Sequence, residues 1–147
     1  MKLKESVEIG LLKPIQYHHN GEAKEGSLVV LVPPNMKQHK YRLKLQQHFF
    51  RAMKSASGGG GDDKPSSQFE PPKGAEVMAL LLVSEVDIGE VFDDFKRLAC
   101  SGCARMEDEE VFTDTMYDKL QPDDVEKMCG EFLASFIIAS ALKNLNS

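Results

Sequence analysis

The sequence predicts an α+β fold, in which an N-terminal β-hairpin is followed by three or four helices. A short β-branched run at residues 28–32 follows an Asn20-Gly21 turn signal, a combination typical of a hairpin. From Pro122 onward, apolar residues recur at steps of three and four, which is the period of one helix face. Strand signals at the start and helix signals after them favour the α+β class.

The hairpin is predicted over residues 6–32. Asparagine and glycine both accept positive φ, so Asn20-Gly21 favours a tight turn between the two strands. Two consecutive prolines, Pro33 and Pro34, then end the second strand, because proline has no N–H to donate to a ladder.

A helix is predicted over residues 36–56, with Asn35 as its N-cap. Its apolar stripe repeats every four residues and is widened by two neighbours, which together give Tyr41, Leu45, Phe49, Met53, Leu43 and Phe50. Basic residues supply its other sides: Lys37, Lys40, Arg42, Lys44, Arg51 and Lys54.

The middle of the chain contains shorter apolar segments. Residues 77–83 are apolar all round, which indicates a buried segment but does not distinguish a helix from a strand. Ser84 and Asp87 have the spacing of a capping box, so we expect a short amphipathic helix up to Cys100, which Ser101-Gly102 ends. An acidic run at residues 107–110 leads to a further short helix, with apolar positions at Phe112, Met116 and Leu120.

The closing helix is predicted to run from Pro122 to Leu145. A proline at the first helical position, with Asp123 and Asp124 in the first turn, is a helix start signal. Residues 132–142 carry no charge, yet this stretch is shorter than the roughly 20 residues of a membrane span. Its apolar face must therefore be buried, either in the domain's own core or against another protein.

Composition favours a globular protein of a reducing cytoplasm. Hydrophobic residues make up 41% of the 147 residues and charged residues 28%. Three cysteines are an odd number, which argues against a disulfide framework, and the first residues lack a signal-peptide pattern. We expect a single domain, residues 1–147, that contains a flexible loop rich in glycine and proline at residues 57–74.

Charge is divided unevenly along the chain. Residues 1–56 hold ten Lys/Arg and four Asp/Glu, a net charge of +6, whereas residues 57–147 hold eight and nineteen, a net charge of −11. A basic front half is compatible with nucleic-acid binding, although the larger, acidic part would be repelled by phosphate. The same division would steer two copies of the chain, or two proteins, head to tail.

Cys100 and Cys103 have the spacing of a zinc half-site or a redox pair. A structural zinc site needs four ligands, and the one other cysteine, Cys129, lies on the apolar helix face. The histidines all lie in the first third of the chain, at His18, His19, His39 and His48. A helix end with two ordinary thiols is therefore the favoured interpretation, and we expect no metal.

Catalytic and phosphate-binding patterns are incomplete. The glycines at residues 58–61 are followed by two aspartates rather than by the Lys-Ser/Thr of a phosphate loop. A calcium loop read from Asp114 lacks the required ligand and glycine. Adjacent carboxylates on a helix point about 100° apart, which argues against catalytic pairs at Asp93-Asp94 and Asp123-Asp124. We expect neither catalysis nor a cofactor.

Three segments together resemble the tail assembly chaperones of long-tailed bacteriophages. The family layout is a "PI…G" hairpin, a strand ending in proline, middle helices, and an "L-x-P-x-D" motif before a hydrophobic last helix. The matching segments are Leu12-Lys13-Pro14-Ile15 with Asn20-Gly21, residues 28–32 running into Pro33-Pro34, and Leu120-Gln121-Pro122-Asp123-Asp124-Val125 leading to Gly130-Glu131-Phe132-Leu133.

The resemblance implies a small α+β protein that is absent from the finished virion. Such proteins bind the tape-measure protein in the host cytoplasm while the tail forms, and many are made in two lengths by frameshifting. We expect the apolar contacts with this partner to involve Phe49, Phe50, Phe132, Phe136 and Ile137. The alternatives are a structural tail protein, such as a terminator or connector, and a small nucleic-acid-binding module; self-association also stays open.

Overall fold

The computed structural model describes residues 5–56 and 73–139. Two long strands open the chain, β1 (Val7–His19) and β2 (Glu22–Leu31), and a 3-10 turn (Met36–Gln38) precedes the first helix. The remaining elements are α1 (His39–Ala56), α2 (Gly74–Val83), α3 (Ile88–Leu98), β3 (Ala104–Met106), α4 (Asp114–Asp118) and α5 (Pro122–Phe132). Two π-helical stretches, Ala99–Cys103 and Leu133–Ile138, extend α3 and α5.

The predicted α+β class and the N-terminal hairpin are confirmed. β1 and β2 are antiparallel, and their two-residue turn places Asn20 at φ 54° and Gly21 at φ 81°. Such positive φ values are those of a primed turn, whose twist matches the strands it joins. The described residues contain five α-helices rather than three or four, because residues 77–83, left open above, are helical.

The third strand, β3, is not predicted from the sequence. It pairs antiparallel with β2 and gives the sheet the order β1-β2-β3. Its outer edge is also occupied, since Met106 N–H donates to the carbonyl of Glu110 and Phe112 N–H donates to the carbonyl of Ala104. With three residues, β3 is too short to show the alternation by which strands are recognised.

The closing helix lies at the centre of the fold. α5 lies against β1 and α2, and its continuation, Leu133–Ile138, packs against α1 and α2. The Phe132 ring packs between those of Phe95 and Phe136, with centroids 5.6 and 5.4 Å away in tilted and edge-to-face contacts. The apolar face that could have served a partner is therefore the domain's own core. The last residues of the predicted helix, 140–145, lie outside the described part of the chain.

Two glycines allow α2 and α5 to approach closely. A Cβ on Gly130 would come within 2.6 Å of Met78 Cγ and 2.5 Å of the carbonyl oxygen of Gly74. A Cβ on Gly74 would meet the Glu131 side chain just as closely. Gly74 is the first residue of α2, so the loop predicted at 57–74 ends earlier than expected, and residues 57–72 lie outside the described residues.

Two further predictions, the N-cap of α3 and the complete burial of residues 77–83, are wrong. Asp87, not Ser84, caps α3, because its carboxylate accepts the N–H groups of Gly89 and Glu90. The Ser84 hydroxyl instead donates to the carbonyl of Leu81 at the end of α2. The run 77–83 was expected to be buried throughout, but as a helix it turns three of its residues, Ala79, Leu82 and Val83, to solvent.

Asp124 joins the closing helix to a bulge in β1. Between the paired residues Gly10 and Ile15, β1 has four residues, 11–14. The facing stretch of β2, between Leu28 and Gly26, has one. The fully buried Asp124 carboxylate accepts the N–H groups of Leu12 at 2.8 Å and Lys13 at 3.2 Å. The sequence explains Asp124 by the helix dipole alone and misses this contact.

Two lysines, one directly after α4 and one in α5, bind the backbone of β1. The Lys127 ammonium donates to the carbonyl of Gly10 at 3.3 Å, and the Lys119 ammonium donates to the carbonyl of Gln16 at 2.8 Å. Together with Asp124, they satisfy backbone groups that an edge strand would otherwise present to other chains.

Replacing Asp124 with alanine should lower the free energy of unfolding by about 2–4 kcal/mol, because two backbone N–H groups lose their acceptor in a buried site. Asp123→Ala is the matched control: Asp123 is exposed and makes only the helix-dipole interaction, worth about 0.3–1 kcal/mol. Urea unfolding followed by circular dichroism measures both. Equal losses in the two variants would contradict the role given to Asp124.

Candidate functional site

Four of the five residues expected to contact a partner lie in the core. Phe132 and Ile137 are fully buried, and Phe49 and Phe136 keep at most 5% of their surface exposed. These four pack inside the fold because the closing helix forms its centre, and they would have to leave the core to touch another protein. Phe50, at 40% exposed, is accessible. The partner role itself stays a prediction.

The core side of α1 is formed by Leu45, Phe49 and Ala52, all of which are buried. At about 100° per residue, their spacing keeps them on one side of the helix. This side packs against α2 and the closing helix. The predicted apolar stripe of α1 is thus correct at Leu45 and Phe49, whereas Ala52 was not part of it.

A second side of α1 faces α3 across a polar cleft of about 370 Å³. The cleft is lined by Lys44, Gln47, His48 and Arg51 from α1 and by Glu90, Asp93, Asp94 and Arg97 from α3. Cationic groups dominate one wall and carboxylates the other, so the two helices attract each other through this cleft.

A buried hydrogen bond closes the base of the cleft. His48 Nε2 lies 3.0 Å from Asp94 Oδ2, and both residues are less than 10% exposed. His48 Nδ1 is buried and has no hydrogen-bond partner. The two residues lie 46 positions apart in sequence, so no local pattern indicates the pair. Asp93, the neighbour of Asp94, is exposed, which agrees with the divergence expected of adjacent carboxylates.

The third side of α1 is apolar and open to solvent. Leu43, Phe50 and Met53 keep 39%, 40% and 36% of their surface exposed. Leu43 and Phe50 lie about 150° around the helix from Leu45, so they do not widen the buried stripe as the sequence suggested. They form a separate stripe, which we call the outer stripe of α1.

The first turn before α1 is tied to the cysteine pair. The predicted N-cap is confirmed, because the side-chain Oδ1 of Asn35 accepts Lys37 N–H. Gln38 completes a capping box with Asn35 N–H and is buried. Its amide donates to Ser101, and its carbonyl accepts the thiol of Cys103 at 3.3 Å. The Asn35-x-x-Gln38 spacing is the sequence signal for this role.

The two thiols of the pair are not activated. Burial raises the pKa of Cys103 to about 12. Burial, reinforced by a hydrogen bond to Asp114, raises the pKa of Cys100 to about 12. Both groups are therefore protonated at neutral pH, whereas redox and metal-binding cysteines require the thiolate. Among the described residues, no group of three or more His, Cys, Asp or Glu side chains is placed to hold a metal ion.

A polar cluster lies where the hairpin meets the acidic run. Tyr17 OH donates to Asp108 Oδ2 at 2.7 Å, and burial followed by this bond raises the pKa of Tyr17 to about 12. His18 is exposed, as expected, but His19 is half-buried and lies 3.3 Å from Glu110. The expectation that both histidines face solvent is thus wrong for His19.

In the part of the chain that the structure describes, no helix is both long and apolar enough to span a membrane. Comparison with family models, curated proteins and solved structures finds no match to this chain. Function must therefore be inferred from the described surfaces and from the short motifs.

Asp94→Ala is expected to lower the free energy of unfolding by about 1–3 kcal/mol, because it leaves His48 Nε2 buried without an acceptor. Asp93→Ala removes the adjacent, exposed carboxylate and should change stability by less than about 0.5 kcal/mol. Urea unfolding at pH 7 measures the free energy of unfolding of both variants. A larger loss for Asp93→Ala than for Asp94→Ala would contradict the assigned geometry.

Cys100 and Cys103 should react with iodoacetamide at pH 8 roughly a hundredfold more slowly in the folded chain than in urea, because folding suppresses the thiolate. Unfolding releases these protons above the ordinary thiol pKa of about 8.5, so the thiol contribution to stability falls as pH rises towards 12. Mass spectrometry of alkylated peptides gives the rates. A folded-state rate equal to that in urea would reveal an activated thiol.

Proposed function

We propose that this chain is a non-catalytic assembly chaperone of the phage tail type, which binds a tape-measure protein in the host cytoplasm. The observation that carries the proposal is the contact between the segments that gave the resemblance. Asp124, the acid of "L-x-P-x-D", binds the backbone of Leu12 and Lys13, directly before Pro14-Ile15.

This contact is a physical reason for the short motifs to occur together in one chain. The bulge needs an acceptor for two N–H groups, and the helix start supplies it from more than 100 residues away. Gly130, in the third matching segment, is needed for the close approach of α2 and α5. Motifs that meet in one structural unit support a family resemblance more strongly than the same short motifs taken separately.

The surface of α1 supports a protein partner. The apolar face of the closing helix is buried in the core, whereas Leu43, Phe50 and Met53 on the outer side of α1 are open to solvent. The cationic Lys44 and Arg51 face the carboxylates of α3 across the cleft. This arrangement favours a protein partner over nucleic acid, whose phosphates those carboxylates would repel. An exposed apolar stripe on a holding protein suits a helical, aggregation-prone client.

Co-expression with the tape-measure protein encoded by the same genome tests this function. We expect the chain to raise the soluble fraction of that protein severalfold and to co-purify with it, because it covers apolar helix faces during assembly. An unrelated soluble protein of similar size, expressed at the same level, is the control. A client that stays insoluble and fails to co-purify would contradict the proposal.

Mass spectrometry of purified virions separates the chaperone from a structural tail protein. A chaperone is absent from the finished particle, whereas a terminator or connector is present in fixed stoichiometry with the other tail proteins. Detection of this chain at such a stoichiometry would favour the structural alternative.

A further inference from the structure

We propose that the outer face of the sheet is an interface between two copies of this chain. By the outer face we mean the side of β1, β2 and β3 that points away from the core. Its central row, which crosses the strands, is Glu8, Val30, Arg105 and Val111. The proposal goes beyond the chaperone function and does not depend on the identity of its client.

The two faces of the sheet differ in burial. On the inner face, Ile9, Val29 and Met106 are at most 2% exposed. Residues next to them in sequence point to the opposite face, because side chains alternate along a strand. There, Glu8 and Arg105 are exposed. The outer face is therefore the one that can meet another molecule.

The central strand is apolar on its outer face as well. Residues 28–32 read Leu-Val-Val-Leu-Val, so Leu28, Val30 and Val32 lie on the outer side, where they are half-buried. An antiparallel sheet with one solvated face normally carries polar residues on that face, whereas a continuous apolar run is typical of a strand covered on both faces. The composition of β2 thus indicates that another molecule covers it.

The charges on the outer face are arranged to suit a second copy. In the ladder Glu8 is opposite Val30, and Val30 is opposite Arg105, so an acid and a base flank the apolar strand at the same level. Strands lie about 4.8 Å apart, which places Glu8 about 10 Å from Arg105. A two-fold axis parallel to β2 and above Val30 exchanges these two positions. Glu8 of each copy then faces Arg105 of the other, and Val30 faces Val30.

The side chains and the sheet edges agree with face-to-face pairing. Arg105 Nε–H donates to the carbonyl of Gly102 at 3.3 Å, and its two terminal NH2 groups have the geometry to bind one carboxylate. Sheets that pack face to face lie about 10 Å apart, a gap that glutamate and arginine side chains span together. At the sheet edges, Asp124 binds the backbone of β1, and residues 110–112 pair with β3. A face is therefore more available than an edge.

The size of the outer face predicts a weak dimer. Three strands of about five residues cover about 16 by 14 Å, well below the roughly 800 Å² per partner of a stable interface. We expect a Kd on the order of 100 µM. Sedimentation equilibrium of the full chain, from about 10 µM to about 1 mM, covers this range.

Reversing one charge tests the two-fold pairing. Glu8→Arg sets two cations against each other in both pairs of the dimer, and Arg105→Glu sets two carboxylates against each other. We expect each variant alone to weaken the dimer at least about tenfold. Glu85→Arg is the matched control, because Glu85 is exposed between α2 and α3, and its replacement changes the net charge as much as Glu8→Arg does. This control should leave the dimer unchanged.

An equimolar mixture of Glu8→Arg and Arg105→Glu gives the sharpest result. In a mixed dimer every acid again faces a base, so the mixture should dimerise about as strongly as the original chain, although neither variant does so alone. The double variant Glu8→Arg/Arg105→Glu should dimerise in the same way. Circular dichroism melts establish that each variant retains the fold.

Three results would overturn the interface. They are an original chain that stays monomeric at about 1 mM, a dimer that Glu8→Arg leaves intact, and a mixture of the two variants that stays monomeric. A monomeric chain whose co-purification with the tape-measure protein is lost on Val30→Glu would assign the outer face to the client instead. Dimerisation without any binding of the tape-measure protein would leave the interface standing and remove the chaperone function.

Discussion

The buried carboxylate of Asp124 is the interaction on which the rest of the architecture depends. It holds the bulge of β1 against the start of the closing helix and satisfies two N–H groups that no strand reaches. With that end fixed, α5 and its continuation lie between the sheet and the helices α1 and α2. Asp124 thus couples the hairpin to the closing helix, and Lys119 and Lys127 reinforce this contact along β1.

This arrangement determines which surfaces are available for function. Because the closing helix is central, its phenylalanines serve packing, and the exposed apolar residues lie elsewhere. α1 has three distinct sides, which contact the core, the carboxylate wall of α3 and solvent. The solvent side combines a heptad-spaced row with a uniformly basic helix. The proposed chaperone function follows from that division of one helix.

Local signals in the sequence predicted the elements that local chemistry decides. Asn20-Gly21 specified the turn, and Pro122 with two acids specified the start of the closing helix. The sequence could not separate the two apolar sides of α1, since which of them is buried depends on α2 and the closing helix. β3 and the His48–Asp94 pair escaped prediction because long-range contacts create them. The helix-dipole interaction already explained an acid at Asp124, so nothing in the sequence indicated its contact with the bulge.

Native-state hydrogen exchange at the amides of Leu12 and Lys13 tests the central claim most directly. Both belong to a bulge without strand pairing, so their protection depends on the Asp124 carboxylate. Both amides should exchange as slowly as those of the closing helix, through global unfolding. Exchange as fast as that of exposed loop amides would contradict it, because the hairpin and the closing helix would then not be held together at this point.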